Sequence, residues 1–369
     1  LIDIINDSYY MRLALELAAK ASGQTGINPV VGCVIVKEGR IIGVGTHLKR
    51  GTGHAEVHAL AMAGTEAEGS SIYVTLEPCS HYGVTPPCSE RIIEAKAAKV
   101  VVAMQDPNPK VAGRGIARLR EAGIEVVVGV LEEEARMLNE AFIKYITTGL
   151  PFVTLKTAST LDGKIASKTG DSQWVTGPAA RELVHTLRHR HSGIMVGSAT
   201  ALADDPLLTT RLSVPALHPV RIVADSRLRM PLQARMLAAE SGIPVTVLTT
   251  GRADAHKRSQ LEDRGVQVLI CGDGEHVDLQ DAMRQLAERE IGSILLEGGG
   301  RLNGAMLEAK LIDKVMLFFA PKLIGGTSAP ASFQMEGWEQ MADALHIREM
   351  KAEQVGEDIC ISGYPDYRL

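Results

Sequence analysis

No uninterrupted apolar run in this chain approaches the ~18–20 residues that a membrane-spanning helix requires, so such a helix is excluded. Cysteine is scarce. Five residues, Cys33, Cys79, Cys88, Cys271 and Cys360, form an odd and sparse set. That set argues against a disulfide framework and for a reducing, cytoplasmic setting in which thiols are free to bind metal. An excess of basic charge is also missing: the net charge is −5, with neither a basic stripe nor a block of like charge. Nucleic acid is therefore not an expected partner. The opening segment Leu1–Asp7 has no basic stretch leading into a long apolar one, so no secretory leader is expected. No fixed-period repeat or low-complexity segment interrupts the chain.

What remains is an ordinary globular composition, 45% hydrophobic and 22% charged, spread over 369 residues. That length exceeds the ~100–200 residues of a typical domain, so two domains are expected. Asp7 or Ser8 is placed to cap a first helix. Strands at 31–36 and 40–44 flank the Glu38-Gly39 turn as a β-hairpin. Helix-then-strand steps follow: helix 54–63 and strand 71–76, helix 87–97 and strand 99–103, helix 114–122 and strand 124–128. This alternation predicts a three-layer α/β sandwich with parallel later strands. A helix over 132–147 ends at Gly149-Leu150-Pro151, a helix stop and a domain boundary. The predicted domains are thus 1–148 and 149–369. In the second, strands at 152–156, 193–197, 220–224, 245–248, 266–270, 293–296 and 314–320 alternate with helices at 178–190, 253–264, 278–290 and 301–310, again an α/β pattern.

The chemistry of the first domain concentrates in His54-Ala55-Glu56, Pro78-Cys79 and Cys88. One imidazole and two thiolates make a three-ligand zinc set, leaving a fourth position for water. Glu56 lies two residues from His54, suited to shuttling a proton rather than to binding metal, as in zinc deaminases. Cys88 follows Pro86-Pro87, a natural helix start where backbone N–H groups favour a thiolate. The plainer alternatives are a capping or core His54 with two small buried cysteines, or a structural zinc completed by His58 or His81. The general deaminase signature has Cys-x-x-Cys; here eight residues separate Cys79 from Cys88, which implies a longer loop and a specialised substrate. Beside a small-molecule deaminase stand two other readings, a nucleoside or RNA deaminase with an accessory domain and a zinc-stabilised, non-catalytic binding protein.

In the second domain a strand ending at Glu297 runs into Gly298-Gly299-Gly300-Arg301-Leu302-Asn303-Gly304 and then a helix. Glycines admit a phosphate close to the backbone, and a helix N-terminus supplies N–H donors. The pattern is not G-x-G-x-x-G, so a standard dinucleotide fold is not supported.

Asn28-Pro29-Val30-Val31-Gly32, His54-Ala55-Glu56-Val57-His58-Ala59, Thr75 to His81, Thr85-Pro86-Pro87-Cys88 and Asp106 to Gly115, continued by Leu161-Asp162-Gly163-Lys164, Ser172-Gln173-Trp174, Ala203-Asp204-Asp205-Pro206 and Glu297-Gly298-Gly299, resemble the bifunctional deaminase/reductase of riboflavin biosynthesis. The likeness covers nearly the whole chain. It implies a cytidine-deaminase-like α/β/α sandwich followed by a dihydrofolate-reductase-like α/β domain. The implied reactions are zinc-dependent deamination of a phosphoribosylaminopyrimidine and then NADPH-dependent reduction of its ribosyl group to ribityl. One zinc per chain, NADPH and a homo-oligomer are implied with them. In the deaminase pocket the resemblance places Asn28, His47, His81, Asp106 and Asn108. Against the dinucleotide it places Ala158, Trp174, Thr200, Asp204, Ser226 and the run Gly298 to Ala305. Against the reductase substrate it places Lys156, Ser172, Arg188, Leu208, Arg211 and Glu297, with Arg188 and Arg211 as phosphate clamps. Lys156 and Asp162 are expected near the transferred hydride. Where the family pattern has a basic residue suited to phosphate, this chain has Val84, so phosphate contact in the first domain is expected to rest on other groups.

Overall fold

A computed structural model describes residues 4–82, 86–109, 111–238 and 242–367. Val84, the departure from the family pattern, lies outside the described residues. The chain divides into two compact units, Leu1–Gly149 and Leu150–Leu369.

The first unit is built on a five-stranded sheet. Its strands are β1 (Gly32–Lys37), β2 (Arg40–Thr46), β3 (Ser71–Leu76), β4 (Lys99–Met104) and β5 (Glu125–Val128), in the order β2-β1-β3-β4-β5. The β1–β2 hairpin and the β1–β3 pair are antiparallel; β3, β4 and β5 run parallel. The apolar runs of β3 and β4 are buried on both faces, as parallel strands covered by helices require. On one face lie α1 (Asp7–Lys20) and α5 (Glu132–Leu138); on the other, α2 (Ala55–Ala63), α3 (Cys88–Glu94) and α4 (Arg114–Glu121) follow one another. Only glycine lets α2 lie so close to β2, since a Cβ at Gly45 would fall on the Ala55 carbonyl oxygen.

Two local expectations are corrected. The first helix is capped by Asn6, whose side chain accepts from the Tyr9 N–H at 3.0 Å, not by Asp7 or Ser8. The single helix expected over 132–147 is two, α5 and α6 (Glu140–Thr148), broken at Asn139. The buried Asn139 amide accepts from Val30 N and donates to Val30 O, and so pairs with the segment that leads into β1.

The second unit holds a nine-stranded sheet: β6 (Phe152–Thr160), β7 (Gly193–Gly197), β8 (Val220–Ala224), β9 (Val245–Thr249), β10 (Gln267–Ile270), β11 (Ser293–Leu296), β12 (Lys314–Ala320), β13 (His346–Val355) and β14 (Asp358–Asp366). The order is β10-β9-β8-β7-β11-β6-β12-β14-β13. All strands from β10 to β12 in that order are parallel, and β14 and β13 close the sheet as an antiparallel edge pair. Helices α7 (Pro178–Arg190), α8 (Ser198–Asp204), α9 (Ala255–Glu262), α10 (Leu279–Glu288) and α11 (Gly300–Glu308) connect the parallel strands. Sequence reasoning missed β13, β14 and α8. The β13 strand carries charged and polar side chains and is exposed almost throughout, the composition of an edge that resists pairing with other chains.

Candidate functional sites

In the first unit, the starts of two helices and the loop that follows β3 supply the reactive groups. His54 occupies the N-cap position of α2, and Glu56 sits in its first turn, only 3% exposed. Cys79 follows β3, and Cys88 is the first residue of α3, behind the capping Pro87. The His54 Nδ1 lies 3.6 Å from Cys79 Sγ and 3.3 Å from Cys88 Sγ, and all three donor atoms fall within 4.8 Å of one another. Zn–S bonds of about 2.3 Å and Zn–N bonds of about 2.0 Å in a tetrahedron put donors roughly 3.5–3.8 Å apart, so the spacing fits zinc. Among the described residues the group has three members; His58 and His81 do not join it, and both are exposed.

Electrostatics point the same way. Hydrogen bonding from Cys88, then from His54 and the Cys88 backbone N–H, carries Cys79 down to about 4, while the contact with Cys79 and burial push Cys88 up. Two sulfurs this close share one negative charge unless a cation lies between them. The His54 imidazole is shifted upward, chiefly by its hydrogen bond with Cys79. Burial pushes the Glu56 carboxyl up to about 7, against the pull of its own backbone N–H and of His54.

Around this centre stand several predicted pocket residues. His47, nearly fully buried, has its ring edge-on to His54 at 5.4 Å, with Nδ1 on Gly53 O and Nε2 on the Asn28 amide. Burial lowers its proton affinity. Asp106 follows β4 and accepts from Asn108 N at 2.8 Å; burial raises it from the ordinary carboxylate value. His81 is exposed and acts on Asp106 through its charge.

The second unit contains a cavity of about 1150 Å³. That exceeds the ~300–1,000 Å³ of ordinary small-molecule sites and leaves room for a dinucleotide together with a substrate. Lys156, Ala158, Ser172, Trp174, Arg188, Thr200, Asp204, Arg211, Ser226, Glu297, the run Gly298 to Asn303 and Ala305 all line it. Leu208 and Gly304 do not. Leu208 is 4% exposed within an apolar cluster, and Gly304 backs onto Gln334. Asp162 is turned away too, accepting from Thr160, Ile324 N and Gly325 N. Sequence reasoning missed Arg181, whose guanidinium stacks over the Trp174 ring at 4.7 Å, and His185.

The glycine run is the turn from β11 into α11. Gly299 caps the helix with no side-chain partner, so its first N–H groups are open to an anion. A side chain at Gly299 would meet Thr200 Oγ1 at 3.3 Å. The cradle therefore suits a dinucleotide phosphate.

Glu297 accepts from Arg188 at 2.7 and 2.9 Å, with Lys156 Nζ at 3.7 Å. Burial opposes its charge, but Arg188 and Lys156 outweigh that and carry it down to about 2. Burial loosens the Lys156 proton, and Glu297 only partly restores it. Arg188 also donates to Thr209 O, so its guanidinium is largely committed; Arg211 is the exposed one.

Histidines organise the neighbouring loop. His185 Nδ1 accepts from Arg211 N, His189 Nδ1 from Leu217 N and His218 Nδ1 from Thr210 N. Burial, then nearby arginines, lower His185 to about 4. Burial also lowers His191 to about 4, its ring held by Leu187 O and Thr154 Oγ1. With folded values below the ordinary 6.5, the unfolded chain takes up protons first as pH falls, and stability is lost from about pH 6.5 down through 4. Glu297 contributes a separate loss, from about 4.5 down through 2. Both tryptophans, Trp174 and Trp338, belong to this unit. Its urea midpoint followed by tryptophan fluorescence is expected to fall steadily between pH 6.5 and 4.5; a flat profile there would contradict the buried neutral histidines.

Comparison with known proteins matches residues 4–104 to the cytidine and deoxycytidylate deaminase zinc-binding region and residues 151–361 to the RibD C-terminal domain. The chain is 44% identical over 359 residues to riboflavin biosynthesis protein RibD of Bacillus amyloliquefaciens, covering 97% of this chain and 96% of that one. It is 43% identical over 370 residues to RibD of Escherichia coli, covering 97% and 99%. Among solved structures, Acinetobacter baumannii RibD superposes with a TM-score of 0.88 at 41% identity, covering 98% and 99%. The diaminohydroxyphosphoribosylaminopyrimidine deaminase/5-amino-6-(5-phosphoribosylamino)uracil reductase of Thermotoga maritima does so at 0.85 and 35%, with the same coverage.

Proposed function

The chain belongs to the RibD family of bifunctional deaminase/reductases of riboflavin biosynthesis, with zinc and NADPH as cofactors, and from that premise we propose how its two units divide the work. The first unit removes ammonia from 2,5-diamino-6-(5-phosphoribosylamino)pyrimidin-4(3H)-one. The second reduces the ribosyl group of the resulting 5-amino-6-(5-phosphoribosylamino)uracil to ribityl. The observation that carries this reading is the convergence of three metal-binding atoms next to a buried glutamate.

His54, Cys79 and Cys88 would hold zinc, which when bound supplies Lewis-acid activation of water near neutral pH. Glu56 moves the proton: its buried carboxyl, poised near 7, delivers one to the ring nitrogen and takes another from the attacking water. Asn28, His47, Asp106 and Asn108 read the ring edge, with His81 at the rim.

In the second unit the N-terminus of α11 would receive the dinucleotide phosphate, along with Ala158, Trp174, Thr200, Asp204 and Ser226, and NADPH supplies the hydride. Lys156, held by Glu297, would offer a mobile proton at Nζ from the wall of the same cavity. Arg211 meets the substrate phosphate, while Arg188 orients Glu297. Ser172 completes the polar wall.

Among the described residues no helix is long and apolar enough to cross a membrane. A homo-oligomer belongs to the same reading, and sedimentation would measure it. The net charge of −5 supports small molecules rather than nucleic acid as partners, and free thiols fit the cytoplasm.

The direct experiment supplies the diaminopyrimidinone ribosyl phosphate to zinc-loaded protein. Ammonia is expected without NADPH, and NADPH oxidation only after deamination. Absence of ammonia would refute the substrate assignment.

A further inference from the structure

Glu77 lies between β3 and Cys79, 5% exposed, and no part in the chemistry above falls to it. Its carboxylate is nonetheless fully used. Oε2 accepts from Asp106 N at 3.1 Å and Gly113 N at 2.9 Å; Oε1 accepts from Gly115 N at 2.8 Å and Ile116 N at 3.3 Å. Its own N–H donates to Met104 O, extending the β3–β4 pairing toward the site.

These four donors come from one segment, the turn that leaves β4 and enters α4. Gly113, the N-cap of α4, stands at φ 78 and brings no side chain. The N–H groups that a capping residue would satisfy are met instead by a carboxylate from another strand. The segment is also pressed against the Cys79 loop, because a Cβ at Gly115 would fall on the Pro78 carbonyl oxygen. Asp106, whose N–H is the first of the four, in turn holds Asn108 N.

We propose that Glu77 is the positioning residue of the deaminase pocket, fixing Asp106 and Asn108 at a set distance from the metal-binding Cys79. The reading rests on the pocket roles proposed above for those two residues. An ionised carboxylate offers about four acceptor sites and no donor, which matches four converging N–H groups. Glutamine keeps the length but turns a donor toward one pair of them. The effect falls on substrate alignment rather than on metal binding, since Cys79 is held independently by the Cys88 N–H.

The test is Glu77→Gln in the full-length, zinc-loaded enzyme. KM for the diaminopyrimidinone substrate is expected to rise at least about tenfold, with a smaller fall in kcat, because misplacing a binding group weakens substrate binding more than it alters the reacting groups. Zinc stoichiometry and the reductase constants are expected to stay unchanged. On an Asp106→Ala background, Glu77→Gln is expected to add less than about twofold to KM, since both act through one contact. An unchanged KM, full additivity with Asp106→Ala, or loss of zinc in step with activity would each overturn the proposal. Amide exchange in the unsubstituted protein gives an independent reading. The Asp106, Gly113, Gly115 and Ile116 amides are expected to be as protected as those of β4, and fast exchange there overturns the proposal even if Glu77→Gln fails to fold. An unsubstituted enzyme that releases no ammonia from this substrate refutes the substrate assignment instead, and leaves the exchange result to decide on Glu77.

Discussion

Replacing Glu56 with glutamine is expected to lower the deamination rate by about 10²–10⁴-fold, the usual contribution of a positioned acid–base group, while zinc remains bound. The substitution keeps shape and volume at a site only 3% exposed, so packing around α2 is preserved. What it removes is a titrating carboxyl beside His54 and Cys88. Because the three metal-binding atoms come from other residues, metal content is expected to stay at one per chain. The reduction step, assayed with the deaminated intermediate, is expected to be untouched. Ammonia release and metal analysis on the same sample decide the matter. A loss below about tenfold would mean that some other group carries the proton. A loss of zinc would mean that Glu56 belongs to the metal centre rather than to the proton path.

A comparably large effect, of a different kind, is expected in the second unit from Glu297→Ala. Glu297 and Arg188 have side chains 11% and 12% exposed and are joined by two short hydrogen bonds. Removing the carboxylate leaves the Arg188 guanidinium and the Lys156 ammonium buried near each other without their counterion. Breaking a buried pair in this way costs about 3–5 kcal/mol. The tryptophan-reported urea midpoint should therefore fall sharply, and NADPH oxidation should disappear. Glu297→Gln keeps one acceptor for Arg188 and is expected to lie between the two. Deamination kinetics serve as the control, since Glu297 belongs to the other unit. A midpoint within experimental error of the unsubstituted protein would show that solvent already screens the cluster.

The parts of these sites legible in the sequence were those whose chemistry is local. His54 and Glu56 share the first turn of a helix, and Cys88 follows two prolines at a helix start, so their roles could be read from neighbours in the chain. The same holds for the glycine run at the start of α11. Features set by distant partners were not legible. Asn139 reads as an ordinary helical residue until Val30 is found beside it, 109 positions away in sequence. Glu77 reads as one letter of a motif, because its partners are backbone N–H groups with no side-chain signature. The choice of Asn6 over Asp7 or Ser8 could not be made either, since all three residue types cap helices well. Leu208, placed against substrate by the resemblance, has its side chain in an apolar cluster, a packing that the leucine itself does not announce. The β13 strand was missed because its exposed, charged sequence lacks the apolar run by which the other strands were found, and β14 because Ser362, Gly363 and Pro365 interrupt its apolar residues.

The strand order of the second unit bears on how the protein is made. The first unit has all five strands complete by Val128, so it can close while the rest of the chain is still in the ribosome. In the second, β6 and β7 are made early yet are not neighbours; β11 fills the place between them. Until translation reaches Leu296 the growing sheet lacks its middle strand, and with it Glu297 and the glycines that open α11. A nascent chain stalled after the first unit has emerged but before that point would hold a finished deaminase fold and no reductase pocket, so during synthesis ammonia-releasing capacity appears well before reducing capacity.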